Sequence, residues 1–246
     1  MLILLPPSET KRDGGMNGSR LDLDALSFPT LKPARRKALA GLRSISSSIA
    51  ASTKALGLGP TQRFEIDRNR AITSSPTMPA IARYTGVLYD AINVETLDAE
   101  GRGFLDAHVV IHSALFGLIR AGDPIPAYRF SHDTRMPATS LSKLWREANA
   151  AVLDAEPGLV LDLRSESYVH LGPASDRSLF LRVVSDDGSG HRRALNHFNK
   201  HGKGELVRAL AGSAIDFESV PALLEWARSM AITLASGTDG ELDLVV

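Results

Sequence analysis

The chain contains no cysteine, and this single absence excludes several kinds of protein. Without a thiol there is no disulfide framework, no cysteine nucleophile and no thiolate metal site. Reduction or sensing of oxidants at a cysteine is excluded too, because that chemistry starts at a thiolate. Any link between this chain and oxidants is therefore indirect.

The chain also lacks net charge and long apolar runs. Its 246 residues include 28 basic and 28 acidic ones, whereas nucleic-acid-binding proteins are usually basic, so such a role would depend on local clusters. No apolar run approaches the ~20 residues of a membrane span. The opening run, 1–5, is short and lacks the basic start of a signal peptide. We expect a cytoplasmic protein without a membrane partner.

Hydrophobic residues make up 43% of the chain, enough for a sizeable core. Apolar patterns predict strands near 1–5, 107–112, 159–163, 179–184, 193–198 and 242–245. They predict helices near 35–56, 61–69, 79–92, 140–153, 205–211 and 219–234. Because strands and helices mix without strict alternation, the expected class is α+β, or mixed α/β. We expect a single domain over residues 1–246, with a central mixed sheet flanked by helices.

The loop after the first strand carries a serine and a lysine three residues apart, Ser8 and Lys11. A buried lysine can take a serine proton, so the two are candidates for nucleophile and base. In penicillin-recognising enzymes such a pair begins a helix and needs further motifs, whereas here a glycine-rich loop follows. The alternative is that Ser8 caps a turn and Lys11 binds an anion or a carboxylate.

The segment 191–208 is basic, with five basic residues against one acidic residue, and it holds three of the seven histidines. Its basic residues are Arg192, Arg193, Lys200, Lys203 and Arg208. Gly204 precedes a predicted helix whose first amides could hold a phosphate, with Lys200 and Lys203 supplying charge. The alternative is a solvated turn that pairs with the acidic tail from Asp216 onward. The histidine spacing fits no common zinc site, so we expect no metal cofactor.

Prolines stiffen the segment 120–129, which contains two arginines and a tyrosine. Arg120, Tyr128 and Arg129 held in fixed positions could clamp a planar or anionic ligand. The alternative is structural, with Asp123 paired with an arginine and Tyr128 filling the edge of the core.

A polar loop follows the strand predicted at 159–163. Ligands tend to bind at the carboxyl ends of strands in sheets covered by helices. Ser165 and Tyr168 are therefore candidates for hydrogen bonds to a substrate. The alternative is a capped turn between a strand and a helix.

The region 35–70 combines basic residues with two predicted helices. Arg35, Arg36 and Lys37 open the first helix, and Leu56-Gly57-Leu58-Gly59 ends it. Two helices joined by a glycine hairpin can present backbone amides to one DNA phosphate strand. The region is thus a candidate helix-hairpin-helix element, although glycine also ends helices for purely structural reasons.

Taken together, these segments resemble the YaaA family. The similarity lies in blocks that occur in order over nearly the whole chain: PSETK at 7–11, YTGVLY at 84–89, SALFGLIR at 113–120 with Asp123 and PAYR at 126–129, Leu144-Trp145, LDLRSESY at 161–168 and the basic block 198–208. Six matches in order are far more specific than any one of them.

The resemblance implies a compact mixed fold, a cytoplasmic location and a role in surviving hydrogen peroxide. It also implies limitation of free iron and binding of double-stranded or distorted DNA through a helix-hairpin-helix element and a positive cleft. Phosphate contacts would come from Arg192, Arg193, Lys200 and Lys203, with Arg35, Arg36 and Lys37.

Two other hypotheses compete with DNA binding. The first is an enzyme acting on a small anionic or nucleotide-like molecule, with Ser8, Lys11 and Tyr168 as catalytic candidates. Its remaining pocket residues would be Arg120, Tyr128, Arg129, Ser165, Lys200 and Lys203. The second is an iron-binding protein, although the histidine and carboxylate spacing shows no two-histidine, one-carboxylate site.

Overall fold

The computed structural model describes residues 1–186, 192–194 and 199–246, with the backbone alone at 186 and 192–194. Within these residues the strands are β1 Leu2–Leu5, β2 Met78–Pro79, β3 Val109–Ser113, β4 Gly117–Arg120, β5 Pro124–Ile125, β6 Val160–Asp162, β7 Ser178–Asp186, β8 Arg192–Ala194, β9 Leu234–Ser236 and β10 Glu241–Val245.

The helices of the described residues are α1 Lys32–Ser46, α2 Ile49–Leu56, α3 Phe64–Arg70, α4 Ala80–Arg83, α5 Val87–Ile92, α6 Ala99–His108, α7 Leu141–Ala155, α8 Glu166–His170, α9 Asn199–Ser213 and α10 Val220–Ser229. Short 3-10 turns occur at Pro29–Leu31, Pro60–Gln62 and Val94–Thr96. None of the helices described combines the length and the apolar character needed to cross a bilayer.

One central mixed sheet runs in the order β4-β3-β1-β6-β7-β10-β9, and β8 pairs with the end of β7. Strands β3, β1, β6, β7 and β10 are mutually parallel, whereas β4, β8 and β9 run antiparallel to their neighbours. All four residues of β1 are buried, which follows from its position between two parallel strands. Strands β2 and β5 form a separate small sheet.

Two groups of helices cover the central sheet. Helix α9 packs against α5, α6 and β7, and α7 packs against α1 and β4. The contact between α9 and α5 depends on Gly204, where a Cβ atom would lie 2.3 Å from the Leu88 carbonyl oxygen. The result is the compact mixed α/β domain, with a central mixed sheet and flanking helices, that the sequence predicts.

Most predicted elements are present, but several boundaries differ. The helix predicted over 35–56 is divided because Ser48 adopts an extended backbone conformation and its side chain caps the N-terminus of α2. The helix predicted over 79–92 is divided at Gly86, whose φ of 100° lies outside the helical region. Helix α6 and strands β4 and β9 are not among the predicted elements. Residues 195–198, part of the predicted hairpin strand, lie outside the described residues.

Candidate functional site

The carboxyl ends of β1, β3 and β6 meet at one edge of the sheet, because these neighbouring strands are parallel. The loop containing Ser8 and Lys11 follows β1, Ser113 ends β3, and Ser165 follows β6. Tyr128 joins them from a separate loop, through a 2.7 Å hydrogen bond to the Ser113 hydroxyl. Ligands of open α/β sheets bind outside such an edge, and we name it the carboxyl-edge site.

Lys11 is the central cation of this site and is only 7% exposed. Its Nζ donates hydrogen bonds to the Ser8 carbonyl at 2.9 Å and the Glu9 carbonyl at 3.3 Å. It also lies 4.1 Å from the centroid of the Tyr128 ring and 5.2 Å from that of Tyr84. Aromatic faces of this kind attract a cation.

Burial lowers the pKa of Lys11 from 10.5 to about 7, because the charged form loses its hydration. The Glu65 carboxylate opposes this shift, whereas the Arg129 guanidinium reinforces it. Near neutral pH the amine is therefore divided between its charged and neutral forms. The neutral form of this amine can accept a proton, and the charged form can stabilise an anion. An ordinary surface lysine is a poor base near neutral pH, because it is almost fully protonated.

The hydroxyls beside Lys11 form a continuous chain. The hydroxyls of Tyr84 and Tyr128 are 2.6 Å apart, and Tyr128 continues to Ser113. Ser113 Oγ in turn accepts hydrogen bonds from the backbone amides of Leu115 and Phe116. Burial raises the pKa of Tyr128 to about 12, so these phenols stay protonated and able to donate.

Arg129 supplies the second cation of the site. Its Nη2 atom lies 2.7 Å from the Glu9 carboxylate, while its Nε is buried without a hydrogen-bond partner. The Glu9 side chain is 63% exposed and can leave. A ligand carboxylate or phosphate could take its place and would find donors that are already held in position.

His112 and Arg164 lie beneath this site and were not identified from the sequence. Both are fully buried, and Arg164 forms an ion pair with Asp162 at 2.6 Å. Arg164 Nη1 also lies 2.8 Å from His112 Nδ1. An arginine can only donate, so Nδ1 accepts this hydrogen bond, while Nε2 lies 2.8 Å from the Asn149 side-chain amide. Burial, together with the Arg164 charge, lowers the pKa of His112 well below 6.5.

Tyr168 reaches the same region from α8. Its ring lies 5.6 Å from that of His112 and 5.4 Å from that of His132. Burial raises its pKa strongly, and the charges of Tyr128 and Glu9 reinforce the shift. Its contact with His112, together with the start of α8 just after β6, puts Tyr168 at the same edge of the sheet.

Lys203 lies at the neighbouring strand end rather than in the tyrosine cluster. It is 5% exposed, and its Nζ donates a 3.0 Å hydrogen bond to the Leu163 carbonyl. Burial lowers its pKa to about 8, against the opposing effect of Asp162. Lys200 lies one helical turn earlier on α9 and is exposed, and Ser165 is also exposed after β6.

Several sequence expectations are corrected by this geometry. Arg120 is not at the carboxyl-edge site: β4 is antiparallel to β3, so Arg120 pairs with Val110 near the start of β3 and binds Glu156 instead. The Ser8 hydroxyl accepts from the Thr10 amide at 3.3 Å, which is the turn-capping alternative. Lys11 Nζ donates its hydrogen bond to the backbone carbonyl of Ser8 and not to the Ser8 hydroxyl, so the serine–lysine catalytic pair is not formed.

The helix start predicted after Gly204, whose amides could have held a phosphate, is also wrong, because α9 begins at Asn199 and Gly204 lies inside it. Arg192 and Arg193 belong to β8, at the end of β7, but their side chains lie outside the described residues, as do His191 and His197. Across the described ranges, no group of three or more histidines and carboxylates could hold a metal ion.

The chain is therefore an α/β protein whose sheet is parallel at its centre and carries a cluster of lysine, arginine and tyrosine side chains at its carboxyl edge. A family model described as "Peroxide stress protein YaaA" matches residues 1–228. The chain belongs to this family, as the sequence resemblance predicts.

Three relatives with similar sequences are UPF0246 proteins. A "UPF0246 protein" of Corynebacterium glutamicum is 45% identical over 216 residues, covering 86% of this chain and 85% of its own. A UPF0246 protein of Corynebacterium efficiens is 40% identical and covers both chains completely. One from Streptomyces coelicolor is 35% identical, covering 94% of this chain and 90% of its own.

The lowered pKa of Lys11 predicts a pH-dependent stability that Lys11→Met removes. Between about pH 7 and 10.5 the unfolded chain holds a proton on Lys11 that the folded chain lacks, so the wild-type free energy of unfolding rises with pH. Relative to Lys11→Met, we expect a rise of about 2 kcal/mol from pH 7 to 9. Urea unfolding of both proteins at each pH measures it, and a constant difference would contradict the shift.

Proposed function

We propose that this protein acts in peroxide stress by binding DNA through residues 32–70, and that bound protein limits iron-dependent damage to the DNA. We name residues 32–70, which include α1, α2 and α3, the basic helical unit. The protein would act in the cytoplasm, bound to DNA. The family description supports the stress role, and the charge distribution supports the DNA contact.

The observation that carries the proposal is the concentration of charge in the basic helical unit. It holds nine basic and two acidic residues, a net charge of +7, although the whole chain is neutral. Five of the basic side chains are exposed and make no ion pair among those described: Arg36, Lys37, Arg43, Lys54 and Arg63. Clustered cations of this kind provide the salt-dependent part of DNA affinity.

The arrangement of the unit fits the same contact. Helices α2 and α3 are joined by Gly57-Leu58-Gly59 and a 3-10 turn, and both pack near α1. Gly57 takes a φ of 62°, which a glycine adopts without strain. A hairpin of this type could bring backbone amides to a phosphate strand. The buried Arg35 and Lys203 take no part, since both donate to carbonyls inside the protein.

The direct test is binding of the protein to a short labelled DNA duplex over a range of salt concentrations. We expect affinity to fall steeply as salt increases, since phosphate contacts release counterions. Absence of any salt-dependent binding at ~50 mM salt, where phosphate contacts are strong, would end the proposal.

A second function is favoured by the carboxyl-edge site, namely an enzyme acting on a small anionic or nucleotide-like molecule. Arg129 would bind the anion after Glu9 leaves, Lys11 would serve as base or electrostatic stabiliser, and the phenols of Tyr84 and Tyr128 would donate hydrogen bonds. The unpartnered Arg129 Nε and the half-neutral Lys11 are the observations behind this proposal.

Anion binding at this site should take up a proton, because a bound anion favours the charged form of Lys11. We therefore expect affinity for nucleoside phosphates or small carboxylates to decrease as pH rises above about 7. Thermal-shift titrations at two pH values can measure it for wild type, Lys11→Met and the exposed control Lys143→Gln. Equal shifts in wild type and Lys11→Met would exclude Lys11 from the binding site.

A further inference from the structure

A cavity of about 720 Å³ lies between the loop 131–139, the first turn of α7 and helix α8. Small-molecule sites occupy about 300–1,000 Å³, so the cavity can hold a whole metabolite. The described residues that line it contribute three basic, five hydroxyl-bearing and four apolar side chains, and none that is acidic. We name it the histidine cavity, because two of its three basic side chains are histidines.

The positive charge of the histidine cavity is only partly compensated. Its basic side chains are His132, Arg135 and His170, and none of them is within ion-pair distance of a carboxylate in the described ranges. The Asp133 carboxylate offsets part of the charge of a protonated His132, but it accepts its hydrogen bond from the Ser131 hydroxyl. Arg135 is exposed and always charged. Basic side chains around a concave surface favour an anionic ligand.

The cavity also presents hydrogen-bond donors. Arg146 Nη1 lies 3.4 Å from His170 Nδ1, and an arginine only donates, so the neutral His170 ring carries its hydrogen on Nε2. The hydroxyls of Ser142 and Ser167 make no hydrogen bond among the described residues. The amides of Leu141 and Ser142 also have no partner there, since they open α7. Several donors beside an arginine match the oxygens of a phosphate group.

The wall that carries His132 is fixed without a ligand. The Thr134 amide donates to the Ser131 carbonyl at 3.1 Å, and the Ser131 amide donates to the Thr134 hydroxyl at 3.0 Å, which closes a tight turn. Met136 packs on α1 at Gly41, where a Cβ atom would lie 2.5 Å from Met136 Cε. A ligand therefore meets side chains on an ordered loop, and binding costs little ordering entropy.

We propose that the histidine cavity binds a small phosphate monoester with a planar or apolar body, of the size of a nucleoside monophosphate. The phosphate would accept hydrogen bonds from Arg135, His170 and the first amides of α7. The body would lie on the apolar side chains of Met136, Leu141 and Leu171. This site depends on neither the proposed DNA contact nor the carboxyl-edge chemistry, because those functions use other side chains.

The test is calorimetric titration of the full chain with adenosine monophosphate, adenosine and inorganic phosphate. We expect adenosine monophosphate to bind about tenfold more tightly than either of the others, since only it uses both the donors and the apolar side chains. Arg135→Gln and His170→Asn should each lower this affinity about tenfold, the effect of losing one charge-assisted hydrogen bond. Both residues are exposed, so Tm should not change. Arg228→Gln, at an exposed position on α10, is the matched control and should bind like wild type.

Each alternative result identifies a different error. Undetectable binding of adenosine monophosphate, or affinity that is unchanged in both cavity variants, would overturn the site. Adenosine binding as tightly as its monophosphate would show that no phosphate is recognised, and equally tight inorganic phosphate would replace the ester by a free anion. If Lys11→Met removes binding and Arg135→Gln does not, the nucleotide lies in the carboxyl-edge site, so that second function survives and this inference fails. A DNA duplex that displaces adenosine monophosphate only when Arg135 is present would assign the cavity to DNA and likewise overturn it.

Discussion

Replacing Arg36, Lys37 and Arg43 together with glutamine is expected to abolish most of the DNA affinity. All three are exposed on α1, and Arg36 and Arg43 are two helical turns apart on one face. Each phosphate contact contributes about 0.9 to the slope of log affinity against log salt, so the slope should fall by about 2.7. At ~0.1 M salt this corresponds to a loss of about 10²–10³-fold. Fluorescence anisotropy at several salt concentrations measures both quantities.

The control for this prediction must change the charge by the same amount elsewhere. Lys143, Arg177 and Arg228 are exposed and lie outside the basic helical unit. Their triple glutamine variant should lose far less affinity and keep the wild-type slope, since only long-range attraction is reduced. If both triple variants lose affinity equally, the DNA contact depends on total charge and not on this surface.

Arg35→Met is expected to produce the largest loss of stability of any variant considered. Arg35 is fully buried, and its guanidinium donates hydrogen bonds to the backbone carbonyls of Ser27 at 2.7 Å, Leu118 at 2.7 Å and Phe116 at 2.8 Å. Methionine fills the volume but leaves these oxygens without a donor. We expect a loss of about 4 kcal/mol, and a Tm lower by about 10 °C for a chain of this size.

Arg36→Met is the matched control, one residue further along the same helix. It is exposed, so its free energy of unfolding should change by no more than about 0.5 kcal/mol. Urea unfolding compares the pair directly. A loss below about 1 kcal/mol for Arg35→Met would mean that the carbonyls find other donors or water. The two neighbouring substitutions should thus have different effects: that of Arg35 lowers stability, and that of Arg36 lowers DNA affinity.

The candidate site shows how far sequence reasoning could reach. Polar loops after predicted strands identify Lys11 and Tyr168, a proline-stiffened segment identifies Tyr128 and Arg129, and the fold places all four in one region. Arg120 belongs to the same sequence block, but an antiparallel strand carries it to the opposite edge. Strand β4 was not among the predicted strands, so this reversal of direction between two consecutive strands was missed.

Other members of the site could not be found from local pattern. His112 lies in an apolar strand and Arg164 in the polar segment after β6, and neither local pattern predicts that the two form a buried hydrogen-bonded pair. Ser113 and Tyr84 acquire their roles only through Tyr128, a residue from another loop. The basic helical unit is the opposite case, because its charge could be counted directly from residues 32–70.

The sequence by itself determined the mixed class, most strands and helices, the family and the location of the basic residues, since these follow from side-chain periodicity and composition. Only the tertiary structure decided which basic side chains are exposed and therefore available to bind a ligand or DNA. It buried Arg35 and Lys203 against carbonyls, left Arg36 and Lys37 in water, and lowered the pKa of Lys11. The physical reason is desolvation: the same charged side chain is a structural donor, a titrating base or a surface cation according to how much water the fold leaves around it.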